Sequence, residues 1–296
     1  MIGDDITLVP TKAGKLALKV DMLVEHTDMP SGMTYRQAAR KVVAMCVSDF
    51  AAKGVSPDSF VASIGLKKGV SQEQVNALAS GFRDAEEKWG ALLVGGDTNE
   101  AKELVIDCAM VGFAKRFVAR SGAMPGDVLV VTGSFGYPPA GLRILEGLAT
   151  ATAEFGRNAR VSVLEPTPSL KVGLALAPFL TSAMDSSDGL ARSLHTLAAE
   201  SKVGFEITEL PAAKGVRSFA ATNGLSVEEL VFQGGEEYAV VGTIPRRKVS
   251  SARTAVRRAG GALLEIGQAT PDPSQIVLST GGTSRPIRDA GWTHLR

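Results

Sequence analysis

Residues 15–25 alternate in character: Leu16, Leu18 and Val20 fall on one face, with Lys15, Lys19 and Asp21 between them. A period of two predicts a half-buried strand. Residues 34–52 lack that alternation, are rich in Ala, Val and Met, and follow Thr34, which predicts a capped helix. A second strand is expected near 58–66. Ser71 and Gln74 then have the spacing of a capping box, which starts a helix over about 71–88. Leu92-Leu93-Val94 reads as a short buried strand stopping at Gly95-Gly96, and 103–114 as another strand. The stretch Arg120–Asp127 contains Ser, Gly and Pro in turn-forming order and predicts a domain boundary, giving domains 1–118 and 119–296. Beyond it the pattern predicts strands at Val128–Val131, 203–208, 237–244 and 275–278. Helices are expected near 139–150 and 168–180, just after Asp188, and over about 245–259. Strands and helices alternate throughout, so the class is mixed α/β (α+β).

Composition narrows the field. The chain has 296 residues, 45% apolar and 21% charged, which is a globular composition with room for two cores. Lys+Arg number 32 against Asp+Glu 31, so no charge imbalance points to nucleic acid or a membrane surface. Cys46 and Cys108 are the only cysteines and form no CxxC pair, which argues against zinc and against a disulfide framework. No apolar run is long enough to span a bilayer, and the N-terminus lacks the regions of a signal peptide. The expected location is the cytoplasm.

Several nucleotide and catalytic motifs are missing: GxxxxGK[ST], GxG in any form, and GxSxG. His26, His195 and His294 have no metal-ligand spacing. What recurs is an apolar run, a small residue and then an acid. The instances are Gly3-Asp4-Asp5, Val20-Asp21, Val47-Ser48-Asp49, Gly95-Gly96-Asp97, Asp185-Ser186-Ser187-Asp188-Gly189 and Gly234-Gly235-Glu236-Glu237. Two carboxylates about 4 Å apart repel by roughly 4 kcal/mol at an effective dielectric near 20. If these acids converge they need cations. Hard oxygen ligands suit Mg²⁺, which shares itself with substrate phosphate.

Each motif also has a plainer reading. Asp4-Asp5 fits a solvated terminus, Asp21 the exposed side of a strand, and Asp49 a helix surface. Gly95–Thr98 fits a tight turn, Asp185–Gly189 a helix cap, and Gly234–Glu237 a hairpin turn. Cys46 fits core packing, and His195 and His294 fit structural roles. Trp292 either docks the C-terminal tail or stacks on an aromatic ligand.

Taken in order, with Arg120-Ser121-Gly122-Ala123 and Pro125-Gly126-Asp127 added, the motifs resemble the thiamine-monophosphate kinase family. That family sits in the superfamily of aminoimidazole-ribonucleotide synthetase and selenophosphate synthetase. The resemblance covers the whole chain. It implies two α/β domains, a homodimer formed through the N-terminal domains, and ATP with several Mg²⁺ ions in a cleft between the domains. The implied reaction converts ATP and thiamine monophosphate to ADP and thiamine diphosphate. By position, Asp5, Asp21, Asp49, Asp97, Asp185 and Asp188 would be Mg²⁺ ligands, with Asp97, Asp185 and Asp49 central to catalysis. Gly96, Asp97, Arg120 and Ser187 would meet ATP, and Asp28, Glu236 and Trp292 the thiamine substrate.

The chain departs from the family in four places. Lys19-Val20 stands where Ser-Thr is common before Asp21, and Asp28 where a substrate-contacting His is common. Glu237 replaces Asp, and the chain begins almost at Gly3-Asp4-Asp5, where the family commonly has a preceding helix. Among rivals, a selenophosphate synthetase would want a reactive N-terminal Cys, and the hydrogenase-maturation dehydratase a C-terminal one. An aminoimidazole-ribonucleotide synthetase differs at Glu236 and Trp292. A non-catalytic nucleotide-binding regulator would not be expected to keep every acid of the set.

Overall fold

The computed structural model describes residues 3–12 and 14–292; His294 lies outside them. The first half runs β1 (Thr7–Thr11), β2 (Gly14–Val24), α1 (Glu25–Asp28), α2 (Tyr35–Lys53), β3 (Ser59–Lys67), α3 (Gln72–Trp89), β4 (Leu92–Ala101) and β5 (Val105–Ala114). Its five strands form one sheet in the order β1-β2-β5-β3-β4, with β3 and β4 parallel and the other pairs antiparallel.

The second half runs β6 (Val128–Val131), α4 (Tyr137–Leu145), α5 (Ala153–Leu164), α6 (Leu170–Leu176), β7 (Ser182–Asp185), α7 (Leu190–Ser201), β8 (Gly204–Ile207) and α8 (Val216–Asn223). A π-helical turn (Glu229–Gln233), β9 (Val240–Ile244), a 3₁₀ turn (Arg246–Lys248), α9 (Val249–Arg258), β10 (Leu264–Thr270), β11 (Ile276–Thr280) and β12 (Thr283–Pro286) follow. Seven strands form the second sheet in the order β12-β11-β8-β10-β6-β9-β7. The mixed α/β class expected from the alternation is the class observed.

α2 joins the two halves. Thr34 and Gln37 close its capping box at one end, and Gly54 ends it in the left-handed conformation (φ 68°). Its Ala-rich sequence is buried on nearly every side, because it packs on β2 and β5, on α3, and on β7 and α6 of the other half. The fit is close. A Cβ at Gly54 would sit 2.2 Å from the Ala177 Cβ, and one at Gly173 would sit 2.2 Å from the Ala51 carbonyl oxygen.

The covered face of the first sheet presents Ala17, Leu23, Phe60, Ala62, Ile106, Cys108 and Met110 to α2 and α3. The opposite face is also apolar, yet open: Val20 is 55% exposed, Met22 53% and Phe113 54%. Val20, Ala109 and Val61 stand in one row across it, and Leu16 pairs with Phe113. A half-buried strand ordinarily turns its apolar side inward. β2 does the reverse, placing Lys19 and Asp21 on the side that α2 covers.

The central strands of the second sheet are covered on both faces. In β6, Leu129 and Val131 join the core around α7, while Val128 and Val130 join the core of α6 and α9.

Three expectations fail in detail. β4 does not stop at Gly95-Gly96 but runs on to Ala101, because β3 continues to pair with it. Leu92, Leu93 and Val94 are exposed, not buried, because β4 is the edge strand, whereas the helix expected just after Asp188 is present from Leu190. Several elements, among them α5, β7 and β10, were not expected; their sequences contain Gly156, Ser182 and Gly267, which dilute the periodic signal.

Candidate active site

The acids of the first half and of β7 meet where α2 crosses between the sheets. Asp49 comes from α2, Asp185 from the end of β7 and Asp5 from the N-terminal segment. All three are buried, and each offers a carboxylate oxygen within 4.8 Å of the others. Asp21 joins from the covered side of β2. With Ser187 and Asp188 from the turn after β7, these residues line a cavity of about 280 Å³.

The N-terminal acids are not a solvated terminus. Lys53, fully buried one turn beyond Asp49, places Nζ 2.6 Å from Asp4 Oδ1 and 2.8 Å from Asp5 Oδ2, and donates to the Ala183 carbonyl at 2.5 Å. Arg120 donates from Nε to Asp5 Oδ1 at 2.9 Å and also pairs with it through Nη2. Its Nη1 donates to the Gly3 carbonyl at 2.9 Å. On the other side, Lys19 Nζ lies 2.7 Å from Asp49 Oδ2 and 3.2 Å from Asp21 Oδ1. The Ser48 hydroxyl donates to Asp185 Oδ2 at 2.7 Å.

The electrostatics reflect this crowding. Burial, then the negative charge of Asp185, pushes the Asp49 carboxyl well up, with Lys19 acting the other way. Burial and then Asp5 push Asp185 up to about 6, against the Ser48 hydrogen bond and Lys19. Burial also raises Asp21, again opposed by Lys19. Burial alone would lower Lys19, but Asp49 and Asp21 more than offset it, so its ammonium is favoured. These are carboxylates held together short of positive charge.

A second group of side chains lies along the same stripe of α2. Lys41, 1% exposed, donates to the Asp28 carbonyl at 2.9 Å and forms an ion pair with Glu236. Asp28 itself is engaged locally, its Oδ2 accepting from the Val24 amide at 2.8 Å and the Thr27 hydroxyl at 2.9 Å. Glu236 (φ 63°) and Tyr238 (φ 50°) both adopt the left-handed conformation, uncommon away from glycine. Their loop is fastened to the turn after β7: Glu236 N–H donates to the Ser187 carbonyl at 2.6 Å and Tyr238 N–H to Ser186 at 3.0 Å. Backbone held in such a conformation beside a polar cavity is a common feature of ligand sites. Trp292 N–H donates to the Asp188 carbonyl at 3.1 Å, which places its backbone at the same turn, and the residue is half-exposed.

Gly96 and Asp97 lie elsewhere. They are exposed on β4, the edge strand, three strands from β2. At about 4.8 Å per strand, that is roughly 14 Å across the sheet. Register separates them further. Gly96 shares a row with Ala62, Cys108 and Asp21, whereas Asp97 shares one with Ser63, Asp107 and Met22, on the open face. Sequence reasoning singled out no role for Lys41, Ser48, Lys53 or Tyr238. The signal for three of them was their position: Lys41 and Lys53 stand eight before and four after Asp49, and Ser48 adjoins it on α2.

Two mixed sheets sharing an acid-lined cavity define a class. Residues 3–114 match the N-terminal domain and 124–279 the C-terminal domain of the AIR synthase related proteins. The chain is 38% identical over 295 residues to the thiamine-monophosphate kinase of Nitrosopumilus maritimus (strain SCM1), covering 99% of this chain and 93% of that protein. It is 35% identical over 294 residues to the thiamine-monophosphate kinase of Halobacterium salinarum, covering 99% and 94%. The structure superposes on AaThiL complexed with AMPPCP and TMP with a TM-score of 0.87 at 26% identity, covering 99% of this chain and 92% of that one. The chain belongs to the thiamine-monophosphate kinase family.

Proposed function

We propose that this protein transfers the γ-phosphoryl group of ATP to thiamine monophosphate, giving ADP and thiamine diphosphate. The observation that carries this reading is the meeting of Asp5, Asp49 and Asp185 in one cavity. A terminal phosphate oxygen of thiamine monophosphate attacks the γ-phosphorus, and the bond to the bridging oxygen of ADP breaks. The acceptor oxygen is already anionic, so no strong base is required. The barrier is chiefly the approach of two anions and their alignment.

The residues fit Mg²⁺. Every donor is a hard oxygen, Asp21 Oδ2 is buried without a hydrogen-bond partner, and the pushed-up carboxyls of Asp49 and Asp185 favour a cation nearby. Asp5, Asp21, Asp49 and Asp185 would hold it, with Asp188 at the rim for a further ion. When bound, Mg²⁺ neutralises phosphate charge during transfer. Arg120 and Ser187 line the same cavity and would meet the ATP phosphates. Glu236, Asp28 and Trp292 are assigned to the thiamine moiety. The Trp292 ring offers a face to the cationic thiazolium, and Glu236, fixed by Lys41, offers it a negative charge.

The first sheet supports a homodimer. Its open apolar face and the unpaired edge of β4 are surfaces that a second copy would cover. Asp97 projects on that open face, so in this reading it reaches the acids of the other copy rather than those of its own. A cytoplasmic setting is proposed with it; among the described residues no helix is long and apolar enough to cross a membrane.

The test is formation of ADP and thiamine diphosphate by the full chain in Mg²⁺, with Asp185→Asn alongside. The expected loss in the variant is at least 1000-fold, about 4 kcal/mol, with the unfolding midpoint retained. Thiamine monophosphate failing to stimulate ADP release from the wild-type chain would overturn the assignment.

A further inference from the structure

Lys19 stands where a site made only of carboxylates would take a cation. β2 directs Lys19 and Asp21, two residues apart, to the same face, and there the ammonium lies between two acids, 2.7 Å from Asp49 Oδ2 and 3.2 Å from Asp21 Oδ1. Neither acid is at the surface: the side chains of Asp21 and Asp49 are 19% and 7% exposed. Lys53 and Arg120 do the corresponding work for Asp4 and Asp5. Asp185 is met by the neutral Ser48 hydroxyl.

The charges can be counted. With Asp188 and Arg192, which line the cavity with opposite charges, set aside, five carboxylates (Asp4, Asp5, Asp21, Asp49, Asp185) against three cations (Lys19, Lys53, Arg120) leave two negative charges in excess, the charge of one divalent ion. Asp185 is met by a hydroxyl and not by a cation, and Oδ2 of Asp21 is buried without a hydrogen-bond partner.

On the reading of this cavity as a Mg²⁺ site, we propose that the Lys19 ammonium replaces one divalent ion between Asp21 and Asp49. The cluster then holds one ion fewer than the same carboxylates would hold without the lysine. An ammonium tethered through its own backbone is present at every metal concentration, so the Asp21–Asp49 side of the site stays assembled when free Mg²⁺ is low. It also differs from a metal in kind, because it offers three directed N–H donors and no open coordination position. A neutral residue at position 19 would leave two adjacent carboxylates to recruit a second ion.

The experiment counts ions directly. The metal-free full chain is titrated with Mn²⁺ alone, and bound metal is read from the loss of the free-ion electron paramagnetic resonance signal. Lys19→Ser should bind one Mn²⁺ more per chain than wild type, and Lys19→Arg, which keeps the charge, should bind the wild-type number. In chelator, Lys19→Ser should melt below wild type, and Mn²⁺ should raise its midpoint more than it raises that of wild type. Should Lys19→Ser not fold, Lys19→Gln keeps the bulk without the charge and is read in the same way. Equal Mn²⁺ counts in wild type and the neutral variants would overturn the role of Lys19 while leaving the metal site standing. No bound Mn²⁺ in wild type would overturn the metal reading itself.

Discussion

The two sheets solve the same burial problem differently. In the second, β6 is buried on both faces, with alternate residues entering the core of α7 and that of α6 and α9. In the first, one face packs on α2 and α3, and the other carries Val20, Met22 and Phe113 into solvent. The central strands of the second sheet are buried within one chain; one face of the first is left open. An exposed apolar face flanked by an unpaired edge strand marks an association surface. The contrast also explains where polar groups went. Because the open face of β2 is apolar, its covered face is free to carry Lys19 and Asp21 into the site.

The largest effect expected from this contrast falls on the open face. Val20→Glu combined with Phe113→Glu should place charge on the face that the proposed dimer would bury. Light scattering should then report the mass of one chain, and kcat/KM should fall at least 100-fold, about 3 kcal/mol. A fully active single chain would break the comparison.

In the closed sheet the same kind of intervention should act on stability instead. Leu129→Ala in β6 should cost about 3 kcal/mol in denaturant unfolding and leave both mass and low-temperature turnover unchanged. A loss of association with little loss of stability would reverse the roles assigned to the two sheets.

A smaller effect concerns pH. Glu237 accepts a hydrogen bond from the Gly136 amide. Burial pushes it up to about 8 from an ordinary 4.5, the hydrogen bond acting the other way. The folded chain therefore holds this proton more tightly than the unfolded chain. Stability should fall as pH rises from about 4.5 to about 8 and stay level beyond it, as far as this group is concerned. Glu237→Gln should remove that slope and stabilise the protein at pH 8.5 by on the order of 2 kcal/mol, less than full linkage because part of the side chain meets solvent. An unchanged pH profile of unfolding would show that the carboxyl is not strained by its surroundings.

How much of this was legible beforehand depended on the element. Thr34 as a cap announced α2, and Ser71 with Gln74 announced α3 as a capping box; both caps are present, and Gln37 completes a box with Thr34 that sequence reasoning did not name. The acid motifs were legible as a set, and Asp5, Asp21, Asp49, Asp185 and Asp188 do gather in one cavity. The direction of β2 was not. Alternation reveals that a strand has two unlike faces but not which face is covered, and here α2 covers the face that carries Lys19 and Asp21 while Val20 and Met22 stay exposed. Nor was the fate of Asp97 legible, since its row on the open face follows from pairing with β3, which no local pattern encodes. The cations were overlooked for a related reason. Lys41 and Lys53 look like surface lysines of a helix until that helix is seen to be enclosed on nearly every side.

The claim on which the rest turns is that the open sheet completes the site of a second copy. It is tested most directly by mixing two inactive variants, Asp49→Asn and Asp97→Asn, and assaying thiamine diphosphate after subunit exchange. If Asp97 serves the other copy, each mixed dimer regains one intact site, and an equimolar mixture should recover roughly a quarter of wild-type turnover. If Asp97 serves its own chain, or no dimer forms, the mixture should stay as inactive as its components, and that result would contradict the account.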